Sequence, residues 1–438
     1  MRLRLPHPLV LLLGGVAIAA LLTWVLPAGQ YQRHKDPATG RDIVVAGTYT
    51  QTAPSPVGVA QAVMAVPKGI VAGAEIIFVV IFVGGAFALL DTTGALGRLV
   101  SSLTKRAQRP QLIVIVVSLT FGLFGALENM HEEIIALVPA LLVLSTRLGF
   151  GAVTAVAMSL GAAAIGSAFG PTNPFQTGIA LRIAQMPALS QGALRFSLLG
   201  AAMAVWIAYT LLMTRRDDVK PEVSDNTEPA TRRDFVLLAI AVVPFIPYVY
   251  GVLELDWGFN ELSALFIVAG FAIGIISGLS LSGTAAAFLK AMETMLAASL
   301  YIGVARAISV VLTDGRVIDT IVNGLAAPLS YTSGATGALL MIPVQALLHV
   351  AVPSVSGQAV LTMPIMAPLS DLLGISRDAA VLAYQTGAGL SDMVIPTNGA
   401  VLAILASAHM TFGRWVRFAA PGVLLVAIVG VAGIILAA

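Results

Sequence analysis

Gly166-Ser-Ala-Phe-Gly-Pro-Thr-Asn-Pro-Phe-Gln-Thr-Gly178 interrupts one apolar stretch, and Gly387-Ala-Gly-Leu-Ser-Asp-Met-Val-Ile-Pro-Thr-Asn-Gly399 interrupts another later in the chain. Proline removes an amide donor and glycine lets the backbone turn or approach closely, so both stretches break a helix. In water such a break is a turn. In hydrocarbon it exposes backbone groups that lipid cannot satisfy, and it persists only against protein or a water-filled cavity. The surroundings therefore decide the reading. Of the 438 residues, 58% are hydrophobic and 11% charged, whereas a soluble domain is about half apolar and about a quarter charged. At roughly 20 residues per crossing, the length accommodates about ten or more spans. The sequence predicts an all-α polytopic membrane protein whose first partner is the lipid bilayer.

The two breaks stand in a common register. Pro139, Gly149, Pro171, Thr172 and Asn173 recur as Pro364, Gly374, Pro396, Thr397 and Asn398, each pair 225 positions apart. Any single match is ordinary; five in order are the internal symmetry of transporter repeats. Upstream, Gly94 after Asp91-Thr92-Thr93 answers Gly315 after Thr313-Asp314. Arg98, Lys105, Arg106 and Arg109 follow the first turn, and Arg316 alone follows the second before position 335. Basic residues mark cytoplasmic loops, so the two turns read as facing opposite sides and the repeats as inverted. The expected organisation is a first transmembrane helix at 1–26, a polar loop at 27–56, repeat one at 57–213, a charged cytoplasmic linker at 214–234 and repeat two at 235–438. Arg2 and Arg4 ahead of a long apolar run favour a retained helix with a cytoplasmic start over a cleaved signal.

The residues in the breaks carry the chemistry. Around 170–174 stand Thr172, Asn173, Gln176 and Thr177; around 396–399 stand Thr397 and Asn398, with Ser391 and Asp392 just before. Unwound carbonyls with such side chains suit a cation such as Na+, with Asn173, Thr177, Ser391, Asp392 and Asn398 as coupling-ion positions, and freed helix N-termini suit a carboxylate. The plainer alternative is two proline kinks capped by asparagine. Two further segments read as tips of re-entrant hairpins near 128–134 and 353–358: Glu128-Asn-Met-His-Glu-Glu133 and Pro353-Ser-Val-Ser-Gly-Gln358. At the common offset Glu132 and Glu133 lie opposite Gly357 and Gln358. Ionisable groups at membrane depth are costly, which marks them as functional, although an interfacial loop would also hold the glutamates and is the better reading for Glu128. Arg306, alone in an apolar helix, calls for a carboxylate partner or an anionic substrate. Glu75 and Asp91 are set aside, the latter as a helix-end cap, and His349 reads as a satisfied core residue.

Other classes fail by motif. His131-Glu132 begins like a zinc-protease helix, but Ile135 stands where its second histidine belongs. Neither a Gly-x-Ser-x-Gly elbow nor a nucleotide-binding Gly-x-x-x-x-Gly-Lys loop is present. Cysteine is absent, and a net charge of +2 without basic runs among aromatics gives no sign of a nucleic-acid partner. No charged ring or filter repeat suggests a passive channel. Transport driven by an ion gradient remains, without a cofactor and with Na+ or H+ as the coupling ion.

Glu132-Glu133 followed by Pro139, Thr172-Asn-Pro-Phe-Gln-Thr-Gly-Ile-Ala180, Gly303-Val-Ala-Arg-Ala-Ile-Ser309, Pro353-Ser-Val-Ser-Gly-Gln-Ala359 and Leu361-Thr-Met-Pro-Ile-Met-Ala-Pro368 together resemble the YfcC-type, DcuC-like carriers of the ion transporter superfamily. The resemblance covers nearly the whole chain. It implies inverted repeats with two re-entrant hairpins, a homodimer whose transport domain moves against a scaffold, and a place in the bacterial cytoplasmic (inner) membrane. It implies a four-carbon dicarboxylate or an arginine/ornithine-type amino acid as substrate. By position it marks Glu132 and Glu133 in the first hairpin, Ser354, Ser356, Gly357 and Gln358 in the second, and Asn173 and Asn398 at the breaks. With Thr172, Thr397 and Arg306 these form the expected substrate site. Where the family reads Met-Ala-Glu-Glu-Thr, this chain has His131 for Ala and Ile134 for Thr. The expected function is an ion-coupled symporter or exchanger for a small organic carboxylate or amino acid.

Overall fold

The structure is a computed structural model and describes residues 7–35, 42–106, 109–214, 229–255, 257–332 and 334–438. Arg2, Arg4 and most of the 214–234 linker lie outside the described residues. Among the described residues, ten helices are long and apolar enough to cross a membrane, from Pro8–Val25 to Phe412–Ala437. The chain is a multi-pass membrane protein. Its segments divide by what covers them: Pro8–Val25 is apolar all round yet only 22% buried in protein, whereas Ala152–Ile183, which contains the first break, is 89% buried. A helix that is apolar all round and exposed turns that surface to lipid. The broken segment sits inside the bundle, where its freed backbone groups find protein partners.

Elements of the first half reappear in order in the second. Val59–Ala72, Ala74–Thr92, Pro110–Glu128, Ile134–Arg147 and Gly192–Met213 are answered by Leu281–Glu293, Leu296–Asp314, Gly334–Ala351, Val355–Leu372 and Phe412–Ala437. Between the two sets lie Arg232–Val242, Phe245–Glu254 and Phe259–Ile276. The turns agree too, since Gly149 and Gly374 both adopt the left-handed region, at φ 82° and 71°, which a side chain would strain. Each inner helix widens into a π-turn, at Ala157–Gly161 and Gln385–Gly389, a distortion found mostly at functional sites.

Small residues let these helices touch. A Cβ at Gly166 would strike the Gly122 carbonyl, and one at Gly125 the Ala163 carbonyl, so Pro110–Glu128 lies backbone to backbone on Ala162–Phe169. In the second half Gly387 meets the Ile342 carbonyl in the same manner. Without a hydrophobic drive between helices in lipid, such close van der Waals packing supplies the attraction.

The 27–56 segment, expected as a plain polar loop, forms two short antiparallel pairs, Gly29–Gln30 with Thr50–Gln51 and Arg33–Lys35 with Asp42–Val44. Asp319 anchors them, accepting from the Tyr31 amide at 2.8 Å and from Arg33 Nη2 at 2.6 Å. Burial, with Asp319 beside it, pushes the Tyr31 hydroxyl up to about 12. Strands of two or three residues give too little alternation to be read from sequence.

Candidate functional site

Asn173 and Asn398 hold the two breaks in the same way. Asn173 Oδ1 accepts from the amides of Phe175 and Gln176, both at 2.9 Å, and Asn398 Oδ1 accepts from the Val401 amide at 3.1 Å. Each asparagine thereby caps the helix that restarts after the break. Their amide nitrogens reach back six residues, Asn173 to Ser167 Oγ at 3.2 Å and Asn398 to Asp392 Oδ1 at 2.6 Å. One backbone device thus presents a hydroxyl in the first half and a carboxylate in the second.

Around Ser167 every group is neutral. Its hydroxyl donates to Asn129 Oδ1 and lies 3.4 Å from Gln176 Oε1, while Asn173 Nδ2 also donates to the Gly125 carbonyl at 2.9 Å. Thr177 donates to the Gly170 carbonyl at 2.6 Å and accepts from Gln385 Nε2 at 2.7 Å. Gln385 also donates to the Ala168 carbonyl at 2.8 Å, so one side chain of the second half closes the first half's break.

Around Asp392 the groups are ionisable. Oδ1 lies 2.8 Å from His349 Nε2, and Oδ2 lies 3.3 Å from His131 Nδ1. His349 Nδ1 meets Gln358 Oε1 at 2.7 Å. Gln358 Nε2 then donates to the Gln345 carbonyl at 2.8 Å and to Gln345 Oε1 at 2.6 Å. The chain of contacts from His131 to Gln345 is buried throughout.

A cavity of about 220 Å³ opens beside Asp392, between the two hairpin turns, the second break and helix Leu296–Asp314. Glu128, Glu132 and Asp392 contribute acidic groups to it, Arg306 and His131 basic ones, and Ser354, Ser356, Thr397 and Asn398 neutral polar ones, with Phe175, Tyr248 and Ile302 as apolar wall. Among the described residues Arg306 makes no ion pair. A wider cavity of about 1120 Å³ runs along the same helix, lined by Ala297, Ala298 and Tyr301 where the small one has Ile302, Ala305 and Arg306. It also borders Asp91, Lys290 and His409.

The structure thus brings Glu132, Arg306, Ser354, Ser356, Asp392, Thr397 and Asn398 to one cavity. The other expected residues lie apart from its wall. Glu133 is buried at the start of Ile134–Arg147, and Thr172 and Gly357 are exposed. Asn173 and Thr177 belong to the neutral cluster, Gln358 to the chain behind His349, and Ser391 donates to the Gly387 carbonyl. Glu128, read from sequence as interfacial, is 6% exposed and lines the cavity, and neither of its oxygens has a hydrogen-bond partner among the described residues. His349 was the principal omission. The available signal was asymmetry, because His349 stands 225 positions from Phe124, and Asp392 the same distance from Ser167.

Apolar spans wrapped around interrupted helices and a buried polar cavity define a polytopic membrane transporter, a carrier and not an enzyme. The chain belongs to the DcuC family, the C4-dicarboxylate anaerobic carriers, whose profile it matches over residues 5–438. YfcC of Escherichia coli (strain K12), named as a candidate basic amino acid antiporter, is 30% identical across 79% of this chain and 74% of its own length. An uncharacterised protein of Haemophilus influenzae is 27% identical across 95% of this chain and 93% of its own. Among solved structures, Neisseria gonorrhoeae MtrF, of a class of antimetabolite efflux pumps, aligns over 99% of this chain and 95% of its own with a TM-score of 0.45 and 16% identity. The Alcanivorax borkumensis YdaH transporter aligns over 98% of each chain with a TM-score of 0.43 and 17% identity.

Proposed function

We propose that this carrier is an ion-coupled symporter or exchanger that moves an amino acid with a cationic side chain across the bacterial cytoplasmic membrane. The observation that carries the reading is the charge pattern of the small cavity. Arg306, without an ion pair among the described residues, can partner a carboxylate, while Glu128 and Glu132 offer partners to ammonium or guanidinium. Such a pairing compensates buried charges on both sides, which an apolar or singly charged ligand would leave open. The name of the Escherichia coli relative points the same way. The family description favours a second reading, a four-carbon dicarboxylate, for which Arg306 would be the anchor.

In this reading the repeats are inverted, and the carrier works as a homodimer whose transport domain, built from hairpins and breaks, moves against a scaffold. Helix Pro8–Val25 supports the inversion. His7 at its start borders the same cavity as Asp91 and Thr92, and Thr23 near its end packs on Gly315, so the two equivalent turns lie toward opposite ends of one span. The wide cavity is then the access route on the Asp91 side.

Counterflow in proteoliposomes tests the substrate. Vesicles loaded with L-arginine or L-ornithine should drive uptake of labelled L-arginine, and Glu132→Gln should reduce that flux by roughly 100-fold. Counterflow by succinate with none by arginine would replace this reading with the dicarboxylate one.

A further inference from the structure

The orientation of one amide fixes where a proton must be. Gln358 turns its oxygen to His349, because its nitrogen is committed twice to Gln345. An amide oxygen only accepts, so His349 Nδ1 carries a hydrogen. A neutral imidazole with its hydrogen on Nδ1 has a bare lone pair at Nε2. That lone pair would face Oδ1 of an ionised Asp392 at 2.8 Å, two acceptors in contact with nothing between them. The contact is attractive only if the pair holds one further proton, on Nε2 or on Oδ1. Asn398 does not supply it, since its amide already donates to Oδ1 from another direction.

We propose that Asp392, His349 and His131 form a proton-binding site, and that the proton held there is the coupling ion of the carrier. Asp392 faces one ring nitrogen of each of two histidines and accepts from the amide of Asn398, whereas a hard cation such as Na+ is held by oxygen ligands. His131 connects the site to the cavity it lines. Its Nδ1 faces Asp392 Oδ2, and its Nε2 is buried with no hydrogen-bond partner among the described residues. When the proton leaves, His349 Nε2 returns it to the Asp392 carboxylate. His131, whose own hydrogen is on Nε2, accepts it from the carboxyl at Nδ1, and Nε2 gives up the hydrogen it held to water in the cavity that His131 lines, so one proton enters the ring for each that leaves. His349 has no such exit, because Gln358 and Gln345 close its other side.

The titratable groups around the site come from every element that packs on it. Glu132 adjoins His131 in the hairpin turn, Glu128 ends the helix before it, and Arg306 and Tyr248 face it across the cavity. Tyr384, on the helix leading to the second break, gives its hydroxyl hydrogen to the Val355 carbonyl. Substrate binding between Glu132 and Arg306 therefore changes the charge next to His131, which links the two bindings in the sense of a coupling free energy.

This inference rests on the carrier reading for its transport readout and stands apart from it for its spectroscopic one. The first experiment is 15N NMR of the full chain labelled at its five histidines, with His349→Gln and His131→Gln assigning the signals. His349 Nδ1 should be protonated in the wild type; a bare Nδ1 at His349 overturns the proposal. The second compares L-arginine uptake into proteoliposomes with and without a pH gradient of either sign, at equal sodium. The wild type should respond by roughly tenfold or more and His349→Gln should not respond. Because each protein is its own reference, loss of folded material does not mimic the result. An undiminished response in His349→Gln, or a wild type that responds to a sodium gradient alone, overturns the assignment. If arginine is not moved at all, the substrate reading fails and the NMR result still decides the proton site.

Discussion

The two helix breaks share a backbone and differ in what stands behind it. At the first, Asn173 reaches Ser167 among Asn129, Gln176 and the Gly125 carbonyl. At the second, Asn398 reaches Asp392 between two imidazoles. A neutral cluster can be satisfied internally and left closed, and here it is used as a tie: Gln385 crosses from the other half to Thr177 and the Ala168 carbonyl. A buried carboxylate is tolerated only with charged or donating partners and is costly when they are removed. The second break therefore opens on the cavity while the first braces it, and the repeated architecture carries unlike chemistry.

The sharpest way to break this contrast is to remove the two equivalent side chains. Asp392→Asn leaves His349 facing a group that no longer balances it and should lower the efficiency of transport by roughly 100-fold or more. Ser167→Ala removes neutral hydrogen bonds worth about 1 kcal/mol each and should slow transport by less than about tenfold. Initial uptake rates at matched protein content decide the matter, and equal losses would erase the distinction.

A second pair of variants should reverse the order for stability. Asn173 bonds to two amides, a carbonyl and Ser167, three of these four contacts being buried, so Asn173→Ala should cost about 2 kcal/mol by lost capping and unsatisfied partners. Asn398→Ala gives up one capping amide and its donation to Asp392, about 1 kcal/mol on the capping side. Thermal melts in detergent should therefore show the larger drop for Asn173→Ala, while transport suffers more in Asn398→Ala. A single ranking across both assays would mean that the two breaks play one role.

The part of this contrast that could be read from sequence is the backbone part. Proline, glycine and a capping asparagine act locally, so Pro171 with Asn173 and Pro396 with Asn398 mark the breaks by themselves. Glu132 and Arg306 were legible because ionisable groups are rare in apolar segments. The relay was not, because His349 and Gln358 come from two separate helices and Asp392 from the turn of the second break, and nothing local distinguishes a histidine that meets a carboxylate from one satisfied within its own surroundings. Glu128 was misread for the same reason. Its place at a helix end suggests an interface with water, whereas the folded chain buries it beside the cavity, among residues of both halves. Mismatched polarity between the halves is the signal that the sequence does hold, since a histidine stands opposite Phe124 and an aspartate opposite Ser167.

The smallest effect expected lies at the hairpin's outer end, where the halves differ by an ion pair. Arg377 Nη2 meets Asp371 Oδ2 at 2.7 Å, whereas the first half has Thr146 and Ala152 at these positions. Arg377 beside it holds the Asp371 carboxyl below its ordinary value. A carboxyl so depressed adds stability above its unfolded value of about 3.9 and loses it as the pH falls through the folded value. The pair is largely open to water, with side-chain exposures of 28% for Arg377 and 50% for Asp371, so screening limits its worth to under about 1 kcal/mol. Asp371→Asn should thus lower the melting temperature slightly near pH 7 and by progressively less as the pH falls below about 3.9 through the folded value, with transport unchanged. A marked loss of transport in this variant would place the functional difference between the halves at their outer turns as well as at the breaks.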